Sequence, residues 1–324
     1  MKAESNESLD LVSVFLTGIP GLEAQHDWLS IPFFTMYIVA IVGNSLIMAA
    51  VQADPALHEP MDLFLSMLAA TEVGVSVSTL PTVMGILWFD AFQIDFDGCL
   101  AQMFFIHTFS CMESGVLLAM SYDRFVAIYN PLRYTAILTL PRIVSLGLVI
   151  TLKSVTLMAP LPVLLRLLPY CHTNILSHSY CLHSDLIQLP CADTKLNSIL
   201  GLAIVLATFG LDSLLIVVSY MLILYTVLGI ASGEGRWKAL NTCVSHICAV
   251  LVYYVPMIGV SVMHRTAKHA SPLAHTLMSS IYLFVPPVLN PIIYSVKTKP
   301  IQQVHKLWWC FFCGQSSTPG FLGK

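Results

Sequence analysis

Seven apolar segments, each long enough to cross a lipid bilayer, constrain this chain more than any other feature. Their approximate limits are 31–52, 61–84, 98–124, 141–163, 197–228, 240–262 and 274–296. A hydrocarbon core about 30 Å thick needs roughly 20 apolar residues, at about 1.5 Å of rise each. The charge content agrees. Charged residues make up 10% of the 324, against 56% hydrophobic, where soluble proteins average about 25% charged. So few charges cannot cover a soluble globule of this size. The chain is also far too apolar for disorder. It has no basic stripe that could neutralise phosphates, which argues against nucleic-acid binding. Pro81, Pro160, Pro256 and Pro291 fall inside the segments, where neighbouring helices of a membrane bundle can satisfy the freed carbonyls. Strict alternation over about 10 residues is absent, which disfavours a β-barrel. The expectation is an all-α membrane protein. It comprises a tail at 1–30, a seven-transmembrane helix bundle at 31–296, and a tail at 297–324 with a short amphipathic helix.

An odd number of spans puts the termini on opposite faces, and the loops fix which is which. One side collects Arg124, Arg133, Arg142, Arg236, Lys238, Lys297, Lys299, Lys306 and Lys324, nine of the fifteen basic residues. The other collects Lys2, Arg166, Lys195, Arg265 and Lys268 with ten acidic residues. The positive-inside rule makes the first side cytoplasmic and the N-terminus extracellular. Asn6-Glu7-Ser8 is a glycosylation sequon on that outer tail, consistent with the charge count. The run Leu11–Leu16 is too short, and its flank too acidic, for a signal peptide.

The longest loop, about 164 to 196, holds Cys171, Cys181 and Cys191, and Cys99 sits at the outer end of the third span. Outside is oxidising, so these four thiols should pair, and spacing alone allows three connectivities. Cys111, Cys243 and Cys248 read as apolar packing. Cys310 and Cys313 stand beside Trp308, Trp309, Phe311 and Phe312, a composition that suits a membrane interface and S-acylation.

Four motifs carry a family resemblance. Met120-Ser121-Tyr122-Asp123-Arg124-Phe125-Val126-Ala127-Ile128 closes the third span, and Pro131-Leu132-Arg133-Tyr134 follows it. Lys238-Ala239-Leu240-Asn241-Thr242-Cys243-Val244-Ser245-His246 opens the sixth, and Pro287-Val288-Leu289-Asn290-Pro291-Ile292-Ile293-Tyr294 closes the seventh. In this order the chain resembles an olfactory receptor, a rhodopsin-like G-protein-coupled receptor, over nearly its whole length. Leu22–Trp28 and His264-Arg265 resemble the fish-like class I branch. The resemblance implies a plasma-membrane odorant receptor whose partners are a small-molecule odorant, a stimulatory G protein and membrane lipid. It also implies pairing of Cys99 with Cys181 and of Cys171 with Cys191. Phe125, Tyr129-Asn130, Asp62 and Glu72 depart from the family pattern and leave its core motifs in place.

Charge inside a bilayer is costly, so each such residue needs a role or a partner. Glu72 lies eleven residues past Met61, and Glu113 eleven before Arg124. Eleven residues rise about 16 Å, which puts both carboxylates near the midplane. Two facing carboxylates cannot both stay ionised without a cation. They share a proton or hold a monovalent ion such as Na⁺, with Asn44 and Asn290 as polar neighbours. The family resemblance supports the ion. No other cofactor is expected. Arg124, beside Asp123, reads as a latch. In the inactive state it would be held by groups at the foot of the sixth span. In the active state it would meet Tyr220, Tyr294 or the G protein. Tyr254 is the candidate lever, two residues before a hinge at Pro256, with Asn290, Pro291 and Tyr294 completing the switch. Lys153 and Asp212 find no role.

His107 lies seventeen residues before Arg124, about 25 Å toward the outside. Ile106, Ser110 and Cys111 share or adjoin its face. Ile258, Ser261, Val262 and Arg265 form one stripe on the sixth span. His183, two residues past Cys181, would be tethered above. Gly201, Leu202 and Val205 form the opposite wall. Arg265, His183 and His107 over an apolar cavity suit a carboxylic acid or another polar short-to-medium-chain odorant. His172, His178, His183, His264, His269 and His275 match no zinc spacing and read as solvated loop groups. The rivals are a non-olfactory rhodopsin-like receptor for a small metabolite, and a transporter. The transporter is disfavoured because no inverted repeat appears. No nucleophile–base constellation marks an enzyme.

Overall fold

The computed structural model describes residues 12–19, 21, 25–170, 174–176, 178–230, 232–266 and 272–295. Seven helices in it are long and apolar enough to cross a membrane. They are α1 (His26–Ala53), α2 (Pro60–Phe89), α3 (Phe96–Tyr129), α4 (Leu140–Arg166), α5 (Lys195–Leu228), α6 (Gly233–Thr266) and α7 (Pro272–Ser295). The first begins five residues before the expected limit of 31. Its opening turn carries His26 and Asp27, polar residues that extend the helix beyond the apolar run. The tail helix expected in 297–324 lies outside the described residues.

Local chemistry sets several ends. Proline stands at the start of α2, where a missing N–H is harmless. Asp90 ends that helix in the left-handed region, at φ 50°. The Asp95 carboxylate accepts the Gly98 N–H at 3.3 Å and caps α3. The α-helical pattern of α4 breaks at Ala159, just before Pro160. Helix α5 contains a π-turn at Leu206–Gly210.

Helix α3 runs through the middle, packing on α2, α4 and α5. Gly115 permits its close approach to α4, since a Cβ there would meet the Ile150 side chain at 2.9 Å. Apolar side chains such as Leu148, Val217 and Val255 point outward from the bundle, as lipid-facing surfaces do. Cys111 and Cys243 are buried thiols, in keeping with packing roles.

The stretch before α1 is more than a tail. Strand β1 (Ser13–Leu16) pairs antiparallel with β2 (Gln93–Asp95) and parallel with β3 (Ile175–Leu176). Val14 and Leu16 turn into the core while Phe15 faces out, the period-two alternation of a half-buried strand. The sheet lies at the end of the bundle that carries the Cys99–Cys181 disulfide. Cys191 is disulfide-bonded too; Cys171, its expected partner, lies outside the described residues.

Candidate functional site

Three polar regions lie along the bundle: a cavity at the disulfide end, a buried core, and a cluster at the opposite end. The cavity holds about 1010 Å³, at the upper end of the range usual for small-molecule sites. The loop before α5 helps enclose it, and three contacts tie that loop to α3. Cys181 is bonded to Cys99, the Cys181 N–H donates to Gln102 Oε1 at 2.9 Å, and the His183 N–H donates to His107 Nε2 at 3.3 Å. Because His107 Nε2 accepts, the proton of its neutral ring sits on Nδ1. Burial holds the His183 ring down to a pKa of about 4, so it is neutral at pH 7.

Of the residues expected to face a ligand, His107, His183, Gly201, Leu202, Val205 and Ser261 line this cavity. Four others are placed elsewhere. Ile106 packs in a separate apolar cluster with Tyr180 and Leu182. Ser110 is buried, and its carbonyl accepts the Tyr253 hydroxyl at 2.6 Å. Cys111 belongs to the main core. Ile258 is 52% exposed on the outer surface of α6, and Met257, Val260 and Ser261 face the cavity in its place. The side chains of Val262 and Arg265 lie outside the described residues.

Sequence reasoning missed His178, Asp185, Gln188, Ser198, His275 and Tyr282, all of which line the cavity. His178 and His183 are not solvated loop groups. They are 3% and 9% exposed. His178 Nδ1 lies 3.1 Å from Asp185 Oδ2, and its Nε2 lies 3.5 Å from Ser279 Oγ on α7. The available signal for these two histidines was their place within three residues of Cys181, the loop cysteine expected to be tethered. His172, His264 and His269 fall outside the described side chains. Among the described residues no three His, Cys, Asp or Glu side chains gather as a metal site.

In the core, Glu72 and Glu113 are buried within electrostatic reach of each other. The Asn290 amide donates to Glu72 Oε1 in a short contact. The Asn44 amide donates to the carbonyls of Ala40 and Pro287 at 2.9 and 3.0 Å. Glu72 Oε2, Glu113 Oε1 and Asn290 Oδ1 are buried without a hydrogen-bond partner among the described residues. These unmet oxygens fit a hard monovalent cation, which takes oxygen donors.

Lys153 and Asp212, without a role in the sequence, explain each other. Lys153 Nζ lies 3.3 Å from Asp212 Oδ2. The same Asp212 oxygen accepts the Ser114 hydroxyl at 2.9 Å, and Ser114 Oγ meets Tyr254 Oη at 2.8 Å. One polar chain therefore links α4, α5, α3 and α6.

At the opposite end Arg124 is bound by its neighbour Asp123, with Cys243 at the foot of α6 within electrostatic reach. Its Nε and Nη2 both donate to Asp123 Oδ2, at 2.9 and 2.6 Å. An adjacent carboxylate, already pinned, is the nearer partner. The Tyr134 hydroxyl donates to Asp123 Oδ1 at 2.7 Å. Burial and the Asp123 charge raise the Tyr134 pKa, which keeps that hydroxyl a donor. Tyr220 bonds to His246, the last residue of the motif that opens the sixth span. His246 Nε2 lies 3.0 Å from the Leu117 carbonyl and must donate to it. The other nitrogen, Nδ1, therefore accepts the Tyr220 hydroxyl at 2.6 Å. The Tyr294 hydroxyl is buried with no partner among the described residues. Pro291 packs against Gly43 of α1.

Comparison with known proteins now decides the family. A sequence model described as "Olfactory receptor" matches residues 33–310. The chain belongs to the olfactory receptor family. It is 57% identical over 288 residues to Olfactory receptor 51I2 of Homo sapiens, covering 89% of this chain and 92% of that one. It is 55% identical over 287 residues to Olfactory receptor 51L1, covering 89% and 91%, and 56% identical over 298 residues to Olfactory receptor 51G2, covering 92% and 95%, both of Homo sapiens. These relatives agree with the class I resemblance. This olfactory receptor is thus a multi-pass membrane protein and a G-protein-coupled receptor that senses small-molecule odorants, not an enzyme.

Proposed function

We propose that this olfactory receptor recognises a carboxylic acid or another polar short-to-medium-chain odorant in the cavity at the disulfide end. It then activates a stimulatory G protein at the Arg124 end. The observation that carries this reading is the cavity itself. It sets His107, His183 and Ser261 among apolar walls, under a loop tied to α3. Arg265 stands one helical turn past Ser261 on α6, at the level where an anion anchor would meet a ligand head group. In this reading the disulfide end is extracellular and the Arg124 end cytoplasmic, as the basic residues argue. The receptor sits in the plasma membrane, and Asn6 carries a glycan.

Activation uses the groups already described. Ligand contacts on α6 bias Tyr254 and the hinge at Pro256. Tyr220 then exchanges its bond to His246 for one to Arg124, joined by Tyr294. Glu72, Glu113, Asn44 and Asn290 would hold a sodium ion in the inactive state. The ion supplies positive charge that lets both carboxyls ionise.

The test is a cyclic-AMP assay in transfected cells, against carboxylic acids, alcohols and aldehydes. Acids should raise cyclic AMP, and Arg265→Ala should abolish that response with surface expression intact. Silence to every acid beside a response to neutral odorants would overturn the anion reading. A ligand response that appears without cyclic AMP would overturn stimulatory coupling.

A further inference from the structure

The α5 wall of the cavity has a notch at Gly201. A Cβ placed there would lie 2.8 Å from His183 Cε1 and 3.1 Å from His183 Nδ1. The first distance is closer than real Cβ contacts come, so the imidazole occupies the space of the missing side chain. Retreat toward the loop is blocked. The His183 N–H is bonded to His107, and the His183 carbonyl accepts the Ile187 N–H at 3.1 Å. Two residues back, Cys181 is fixed to α3 by the disulfide and by Gln102. The ring is therefore anchored through its backbone to α3 and pressed sideways onto α5. Its Nε2 is buried and has no hydrogen-bond partner among the described residues. Shape, not a polar contact at that atom, keeps the ring in the notch. A ring displaced from α5 can move into the cavity that both residues line.

We propose that Gly201 is a specificity-determining residue. By leaving a notch for the His183 ring, it holds that ring back against the cavity wall and so sets the longest straight-chain odorant the cavity admits. This rests on the reading of the cavity as the odorant site. It assigns Gly201 a role through His183 rather than as a ligand contact.

The experiment uses the full-length receptor in transfected cells. The probes are a homologous series of straight-chain carboxylic acids and the matching primary alcohols, with responses normalised to surface expression. Gly201→Ala should shorten the preferred chain by about one methylene, lowering potency for the longest active homologue about fourfold while sparing shorter ones. His183→Ala should lengthen the preferred chain. Adding His183→Ala to Gly201→Ala should restore the homologues that the single change loses. An unchanged chain-length profile in either single variant would overturn the proposal, as would an equal loss across the whole series. Response to alcohols but not acids would refute the acid head group while leaving the length profile readable. If the wild-type receptor answers neither series, the odorant-class reading fails, and the notch is still decided by surface expression. Gly201→Ala should lower it and His183→Ala should reverse that loss; failure of the reversal refutes the notch.

Discussion

Replacing Lys153 by methionine removes the cation that, among the described residues, pairs with a carboxylate buried among α3, α4, α5 and α6. Asp212 is 3% exposed and accepts from Ser114, and Lys153 approaches both its oxygens, at 3.3 and 3.4 Å. Removing one partner of a buried ion pair costs about 3–5 kcal/mol, because the other charge is stranded. The two contacts are long for charge-assisted bonds, which normally measure about 2.7–2.9 Å. That places Lys153→Met near the lower end, about 3 kcal/mol. Adding Asp212→Asn removes the stranded charge and leaves an amide that still accepts from Ser114. The double variant should therefore be more stable than Lys153→Met alone, with a coupling of about 2 kcal/mol across the cycle. The assay is thermal unfolding of the detergent-solubilised receptor for all four members, paired with surface expression. Wild-type stability in Lys153→Met, or strict additivity in the double variant, would refute the account of this pair.

Three further outcomes follow from the geometry. Tyr134→Phe deletes the hydroxyl that steadies Asp123, a bond to a charged group worth about 1.5–3 kcal/mol. It should loosen Asp123's hold on Arg124 and raise ligand-independent cyclic AMP, and unchanged basal signalling at equal expression would contradict this. His183 has a pKa of about 4 in the fold, below the roughly 6.5 of an unfolded histidine. The unfolded chain therefore binds a proton that the fold refuses, so stability is full above pH 6.5 and falls as the pH drops toward 4. Melting curves of His183→Asn should show a shallower loss across that window, and an identical slope would exclude His183 as its source. Glu113→Gln removes one carboxylate from the core and should abolish any sodium dependence of basal signalling. Persistence of that dependence would count against the ion site.

Span number and order were legible because hydrocarbon thickness dictates length, and length survives in the sequence. Strand β1 was not legible. Four residues pair with partners some eighty and one hundred and sixty positions away, and no local pattern announces such a match. The cavity was legible in part. Helical spacing from Arg124 led to His107, and the tether at Cys181 led to His183. On α6 the same logic picked Ile258, which faces outward. Lipid is as apolar as a ligand cavity, so periodicity in a membrane helix does not separate inward from outward. Lys153 and Asp212 were visible as expensive charges, yet nothing in a linear sequence pairs positions 59 residues apart. Arg124 was assigned its role as a latch, but its holder in this state, Asp123, stood next to it.

The π-turn at Leu206–Gly210 has a consequence for how α5 serves both ends of the receptor. A π-turn carries one more residue than an α-turn, and one residue is about 100° of helical rotation. Above it, Gly201, Leu202 and Val205 face the cavity; below it, Asp212 and Ile216 are buried in the bundle. The two halves are separately indexed, each in the phase its own neighbours require. Winding the same residues as continuous α-helix would turn one half about 100° away from its partners, whereas deleting a single residue between 206 and 210 should leave both halves facing as they do. The cavity-lining face and the buried seam of Asp212 and Ile216 thus share one helix because its π-turn takes up an extra residue between them.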